Sequence, residues 1–353
     1  MMKNVLISTL ITIIVIFAFA TTAPAQEDPQ LDEFPSNVKV HTGNGSLRIR
    51  DIDYSPDGKH LVVACSNNGV LLYKTQIVEK PVLLKDHPES AWSVSFSPDG
   101  TMLASAGRFN TITLFNKDIK RQIPTYKDIL KSGIRSLEFS PDSEIIATSN
   151  FDRTISLLDV QTGKALHTLN IHRELIRPLL KFSPDGKTIV TGTLNDTIQL
   201  WDVTTGKHIR THENNRILIK CVAFSPNSKT IALPTYDKRN QTISFRNVDN
   251  WQATHSVIDK HDILRKMGFV NSMAFSPDGK TIVTGCAFAI LQWNVDTGEH
   301  IRMLTGPLKR YSGPGPFVLY SPDGTTIVTA GMGEIHLWDG KTGAHIRQLL
   351  TDL

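Results

Sequence analysis

Cysteine is scarce in this 353-residue chain, which carries 3: Cys65, Cys221 and Cys286. That thin, odd-numbered set excludes a disulfide-stapled scaffold. No C-x-x-C or paired-His spacing accompanies it, so no metal motif is present, and each Cys reads as a buried thiol. Excess charge of one sign is also missing. The chain has 38 Lys and Arg against 34 Asp and Glu, a net charge of +4, far from a nucleic-acid-binding tail. Hydrophobic residues make up 40% and charged residues 20%, which excludes collagen-like and broadly disordered chains. Catalytic signatures are absent too: there is no G-x-S-x-G, P-loop, dinucleotide fingerprint, H-E-x-x-H or EF-hand loop. The expectation is therefore a protein that is not an enzyme and needs no cofactor.

What is present begins with an address. Lys3 precedes an uncharged, mostly apolar run of 16 residues, Val5 to Ala20, and Ala23-Pro24-Ala25 follows. That order predicts a secretory signal peptide over 1–25. The run is shorter than the roughly 20 apolar residues a membrane span needs, so no stable span is expected after cleavage. The mature chain is expected to be exported, periplasmic or extracellular. Residues 26–36 (QEDPQLDEFPS) are polar and acidic with two Pro, and read as a flexible leader.

One phrase recurs through the remainder. S-P-[DN]-[GS] appears with its Pro at 56, 98, 141, 184, 226, 277 and 322, in steps of 42, 43, 43, 42, 51 and 45. A fixed period in the forties means repeated supersecondary units. In each unit an apolar stretch ends in an aromatic, and Ser-Pro-Asp-Gly then turns the chain, because Pro presets φ and Gly accepts positive φ. A β-branched run such as KTIVTG at Lys187 follows, then a second such as DTIQLWDV at Asp196, a T-G-K turn and a short last strand. Four antiparallel strands give a sheet that is apolar on both faces. Seven such sheets around an axis bury those faces against one another.

These units resemble the WD40-repeat family. The residues carrying the resemblance are the seven S-P-[DN]-[GS] turns, Trp201-Asp202, Trp338-Asp339, and the T-G turns at Gly163, Gly206, Gly298 and Gly343. The resemblance implies an all-β, seven-bladed propeller of four-stranded antiparallel blades over residues 37–353. It departs from the family where Tyr73, Phe115, Leu158, Arg246 and Trp293-Asn294 replace the Trp-Asp pair, and the family's Asp-His-Ser/Thr-Trp network is complete nowhere. His208, His300 and His345 follow the T-G turns and read as structural. Either Asn37–Val40 or the C-terminal HIRQLL completes the last blade, and the family habit favours the N-terminal piece.

Length variation points to one end of the propeller. The turn-Pro to Trp-equivalent spacing is 17, 17, 17, 17, 20, 16 and 16, and the onward spacing is 25, 26, 26, 25, 31 and 29. The extra residues fall at Tyr236–Gln241, Asp259–Gly268 and Gly306–Pro316, in connections that emerge at the end opposite the SPDG turns. Insertions gathered on one face of a repeat protein mark a binding face. Its candidate residues are Arg50, Trp92, Arg108, Arg135, Lys220, Tyr236, Lys238, Arg239, Arg265, Lys266, Lys309 and Arg310. Cations interleaved with aromatics suit an acidic protein, a peptide or an anionic surface polymer, with no nucleic acid. The expected function is a non-catalytic interaction module. The alternative is a propeller enzyme or small-ligand binder using the axial funnel, which requires convergent polar groups at the axis.

Overall fold

The structure, a computed structural model, describes residues 47–351 except 78, 85–89, 109, 117–121, 128–131, 172–178, 193–196, 214–220, 238–239, 258, 260–261 and 307–315. The expected leader and signal segments lie outside that range. Seven four-stranded antiparallel sheets follow one another along the chain. Blade 1 is β1 (Ile49–Tyr54), β2 (His60–Cys65), β3 (Gly69–Lys74) and β4 (Val82–Leu84). Blade 2 is β5 (Ala91–Phe96), β6 (Met102–Gly107), β7 (Thr111–Asn116) and β8 (Gln122–Lys127). Blade 3 is β9 (Ile134–Phe139), β10 (Ile145–Asn150), β11 (Thr154–Asp159) and β12 (Ala165–Asn170). Blade 4 is β13 (Leu179–Phe182), β14 (Thr188–Gly192), β15 (Thr197–Asp202) and β16 (His208–Glu213). Blade 5 is β17 (Ala223–Phe224), β18 (Thr230–Asp237), β19 (Asn240–Asn247) and β20 (Ala253–Ser256). A short helix, α1 (Ile263–Met267), precedes blade 6, which is β21 (Val270–Phe275), β22 (Thr281–Cys286), β23 (Ile290–Asn294) and β24 (His300–Leu304). Blade 7 is β25 (Phe317–Tyr320), β26 (Thr326–Gly331), β27 (Glu334–Asp339) and β28 (His345–Leu349). This is the seven-bladed propeller that the repeat implies.

The recurring turn is held as its residue types require. In blade 1, Ser55 Oγ donates to Asp57 Oδ1 at 2.6 Å, the Lys59 N–H donates to the same oxygen at 3.0 Å, and Gly58 sits at φ 70°. In blades 3 and 5 serine takes the glycine position, with Ser143 at φ 65° and Ser228 at φ 60°. A left-handed conformation is costly for a residue with a Cβ. Each serine offsets part of that cost across the blade boundary: Ser143 Oγ accepts the Asp99 N–H at 3.1 Å, and Ser228 Oγ accepts the Asp185 N–H at 2.9 Å.

The core lies between blades. Phe182, Ile189 and Trp201 of blade 4 pack with Ala147, Ile155, Leu157 and Leu169 of blade 3. Strand register places Tyr73, Phe115, Leu158, Trp201, Arg246, Trp293 and Trp338 at one equivalent site, each opposite an Ile or Leu of its second strand. Where that residue is Trp, its indole N–H donates to a threonine of the second strand: Thr191 at 3.0 Å, Thr284 at 3.1 Å and Thr329 at 3.0 Å. His208, His300 and His345 pack edge-on against those indoles, at 5.1, 5.1 and 4.9 Å, so their place after each T-G turn serves the fold. Phe182→Ala is expected to destabilise by about 3–5 kcal/mol in urea unfolding; a loss below about 1 kcal/mol would contradict its inter-blade assignment.

Two expectations are corrected. Blade 7 takes its outer strand from the C-terminal β28, where Leu349 pairs with Ile335 and is buried. Every blade is contiguous in sequence, so the N-terminal closure of the last blade is overturned; Asn37–Val40 itself lies outside the described residues. Blades 7 and 1 meet through Tyr54 Oη and Thr326 Oγ1 at 3.3 Å, and through Arg347, which donates to the Gln76 carbonyl at 3.1 Å and to the Thr75 carbonyl. In blade 5 the extra residues extend the ladder instead of looping out: β18 and β19 have eight residues each and pair as far as Asp237 opposite Asn240.

None of the three cysteines forms a disulfide, and all three are buried. Burial pushes Cys65 and Cys286 up to about 12, which leaves them without the thiolate that reactivity needs. Among the described residues, no helix is long and apolar enough to cross a membrane.

Candidate functional site

The inner strands β1, β5 and β9 begin at the end opposite the SPDG turns. Arg50, Trp92 and Arg135 are each the second residue of their strand, so the repeat sets them side by side along one rim. Phe151, just after β10, reaches the same rim. The Arg50 guanidinium lies 5.6 Å from the Trp92 ring centre. The Trp92 and Phe151 rings meet at 5.3 Å, tilted by 59°. Arg135 lies 4.3 Å from the Phe151 ring centre. The result is a continuous ladder of cation, ring, ring and cation across blades 1 to 3.

Each step of the ladder is modest, about 0.5–1 kcal/mol for an exposed cation–π contact and about 0.5–1.5 kcal/mol for the ring pair. Their larger effect is preorganisation. Ring contacts restrict long arginine side chains before any partner arrives, which lowers the entropy lost on binding. The Trp92 indole N–H is further fixed by donating to Ser90 Oγ at 3.0 Å. Exposed Arg108 follows β6 beside this rim, where a Cβ on Gly133 would stand 2.1 Å from the Arg108 carbonyl oxygen.

The other residues expected from sequence divide differently. Arg265 and Lys266 are exposed on α1, which is anchored at the same end by fully buried Leu264. Asp259 accepts the Ile263 and Leu264 N–H groups at 2.7 and 2.8 Å. Within the insertion, Ile263–Met267 thus form a docked turn of helix, and Arg265 forms an exposed pair with Asp262 at 3.2 Å. Phe269 and Phe288 are exposed beside α1, at 56% and 55%. This is a second patch, on the side of blade 6. Tyr236 is placed in β18 by its backbone. Lys220, Lys238, Arg239, Lys309 and Arg310 lie outside the described residues.

Sequence reasoning missed a polar arc on the axial channel. Asp51, Asp53, Glu138 and Lys181 come from the inner strands of blades 1, 3 and 4. Asp51 Oδ2 accepts the Ser93 hydroxyl at 2.6 Å and the Val94 N–H at 3.2 Å. Asp53 Oδ2 accepts the Phe96 N–H at 2.8 Å, and Glu138 Oε2 accepts the Phe182 N–H at 3.2 Å. Lys181 Nζ donates to Glu138 Oε1 at 3.2 Å. An innermost strand has one edge with no strand beside it, and these side chains satisfy its N–H groups from the preceding blade. Burial raises all three carboxyls, taking Asp53 up to about 7. The Lys181 side chain is half exposed, and its ammonium is shifted up chiefly by the charge of Glu138 beside it, against desolvation. The signal was available in sequence: Asp53, Glu138 and Lys181 each stand immediately before a turn aromatic.

The channel carboxylates are occupied as ties between blades, and among the described residues no group of three or more His, Cys, Asp or Glu is placed to hold a metal. Fold and rim together define a rigid propeller that presents a loop face. The chain belongs to the WD40-type propeller family: residues 48–265 match the family described as IFT122 first beta-propeller, and residues 257–294 match WD domain, G-beta repeat. Similar proteins include WD repeat-containing protein 1 of Mus musculus, 26% identical over 95 residues, which is 26% of this chain and 16% of that protein. COMPASS component SWD1 of Saccharomyces cerevisiae is 28% identical over 104 residues, 28% of this chain and 24% of that protein. The chain therefore aligns with less than a quarter of the length of either relative.

Proposed function

We propose that this propeller is a non-catalytic interaction module that docks an acidic protein or peptide segment on the rim of blades 1 to 3. The observation that carries the reading is the Arg50–Trp92–Phe151–Arg135 ladder. A guanidinium stacked on a ring uses its face for that contact, and its planar fork matches a carboxylate edge-on, while the rings add apolar contact area at low entropy cost. The channel carboxylates support this reading over the axial-funnel enzyme, because their oxygens are taken up by backbone N–H groups of neighbouring blades, the Ser93 hydroxyl and Lys181. One similar protein is by name a component of a larger entity, in keeping with a docking role. The Val5–Ala20 run with Ala23-Pro24-Ala25 supports an exported chain, which N-terminal sequencing of the mature protein tests.

Arg50→Glu with Arg135→Glu is expected to weaken binding to an array of Asp/Glu-rich peptides at least tenfold, with the thermal midpoint unchanged. Undiminished binding by the double variant would end the proposal. Charge reversal at Arg265 and Lys266 serves as the comparison: a larger loss there would move the docking face to blade 6.

A further inference from the structure

The other end of the molecule carries a second feature, independent of the rim. Five outer-strand residues occupy one register position: His167 opposite Leu157, Arg210 opposite Leu200, His255 opposite Phe245, Arg302 opposite Gln292 and Arg347 opposite Leu337. Four of them reach across to a backbone carbonyl in the next blade. His167 Nε2 donates to the Thr204 carbonyl at 2.9 Å, Arg210 to Asp249 at 3.2 Å and His255 Nε2 to Val295 at 2.5 Å, while Arg347 holds Thr75 and Gln76.

Arg302 breaks the series. Its partner position holds Gln292 where the other blades have Leu or Phe. Gln292 Nε2 donates to the Gly340 carbonyl at 3.1 Å and to Tyr320 Oη at 2.9 Å, so it takes the contact to blade 7 that the repeat assigns to the outer strand. Among the described residues Arg302 has no hydrogen bond or ion pair, and its buried Nε has no acceptor. Gln292 is 3% exposed, and its Oε1 has no donor. Both line a pocket of about 530 Å³ between blades 6 and 7, together with Lys280 and Lys341.

Charge distinguishes this pocket from its neighbour. Its walls carry three cations, Lys280, Arg302 and Lys341, against Asp278 and Asp323. Those carboxylates serve their own turns: Asp278 Oδ1 accepts Ser276 Oγ and the Lys280 N–H, and both Asp323 oxygens accept from Thr325. The pocket between blades 5 and 6 is of similar size, about 520 Å³, but its walls carry Asp278 and Asp296 against Lys280, and its outer-strand His255 is already bonded.

We propose that the pocket between blades 6 and 7 binds a phosphate or sulfate monoester bearing free hydroxyls. Arg302 forks the oxyanion, Lys280 and Lys341 supply further charge, and Gln292 Oε1 accepts a ligand hydroxyl. A guanidinium with no protein acceptor and a buried amide oxygen with no donor are matched by one molecule that carries both an oxyanion and an O–H.

The test is calorimetric titration of the full chain with glucose 6-phosphate, glucose 6-sulfate, inorganic phosphate and glucose. Saturable binding of at least one monoester is expected, tighter than inorganic phosphate and weakened by salt. Arg302→Gln and, separately, Lys341→Ala are expected to reduce it at least tenfold. Arg210→Gln, at the same register position in blade 4, is expected to leave it unchanged. Circular dichroism verifies that each variant is folded, and Lys341→Ala decides if Arg302→Gln is not. No saturable binding of either monoester, equal binding by the pocket variants, or an equal loss in Arg210→Gln would overturn the site. Inorganic phosphate binding as tightly as both monoesters would overturn the assigned role of Gln292.

Discussion

A Trp338→Ala protein is expected to lose about 3–5 kcal/mol of stability, the range for removing a large buried aromatic. Trp338 is fully buried and packs with Val283, Ile290 and Leu304 of blade 6 as well as Val318, Tyr320 and Ile327 of its own blade. Truncation opens a cavity at a blade boundary and leaves Thr329 Oγ1 without its indole donor. Gly306 deepens the effect, because a Cβ there would stand 2.6 Å from Trp338 Cη2, so the backbone is already against the ring. Trp338→Phe keeps most of the volume and removes the hydrogen bond, and is expected to cost about 1–3 kcal/mol. Urea unfolding monitored by far-ultraviolet circular dichroism measures both. Equal losses in the two variants would show that the hydrogen bond, and not the packing, dominates at this site.

The second large effect is a pH dependence set in the channel. Asp53 is raised by burial to about 7, whereas an unfolded aspartate titrates near 4. Between those values the folded protein holds a proton that the unfolded chain has released. Stability from this group is therefore fully present below about pH 4, falls as pH rises from about 4 to about 7, and is flat above. Asp51 and Glu138 are shifted in the same direction. The ceiling for Asp53 is about 4 kcal/mol; its side chain is only half-buried by surface area, and the solvent screening this brings reduces the expectation to about 1–3 kcal/mol. Asp53→Asn retains an oxygen to accept the Phe96 N–H and cannot ionise. It is expected to be more stable than the parent at pH 8 and to lose that advantage by pH 4. Parallel stability profiles for the two proteins between pH 4 and pH 8 would refute the assignment.

Much of the fold was legible in sequence because its determinants are local. The Ser-Pro-Asp-Gly turns carry their own hydrogen bonds, and the period of their prolines fixed the number of blades. The Trp-equivalent positions counted from those prolines agree with the strand register, even in blade 5 with its longer hairpin. The rim was legible in part. Counting back from each turn aromatic placed Arg50, Trp92 and Arg135 at one height, while their stacking through Phe151 depends on how far adjacent blades are rotated about the axis. The Asp259–Gly268 insertion looked like free loop, because Leu264 has no partner along the chain; its contacts come from blades 5 and 6.

By itself the sequence determined the seven units, the turn chemistry and the end at which the insertions gather, since each follows from residue type and spacing. Only the tertiary structure decided that the C-terminal strand completes blade 7, that channel carboxylates tie neighbouring blades, and that Arg302 has no bond among the described residues while its four counterparts are held. Those outcomes depend on the approach of side chains some forty residues or more apart, across blade boundaries. A local pattern sets which groups are offered at a boundary, and the packing geometry sets which of them meet.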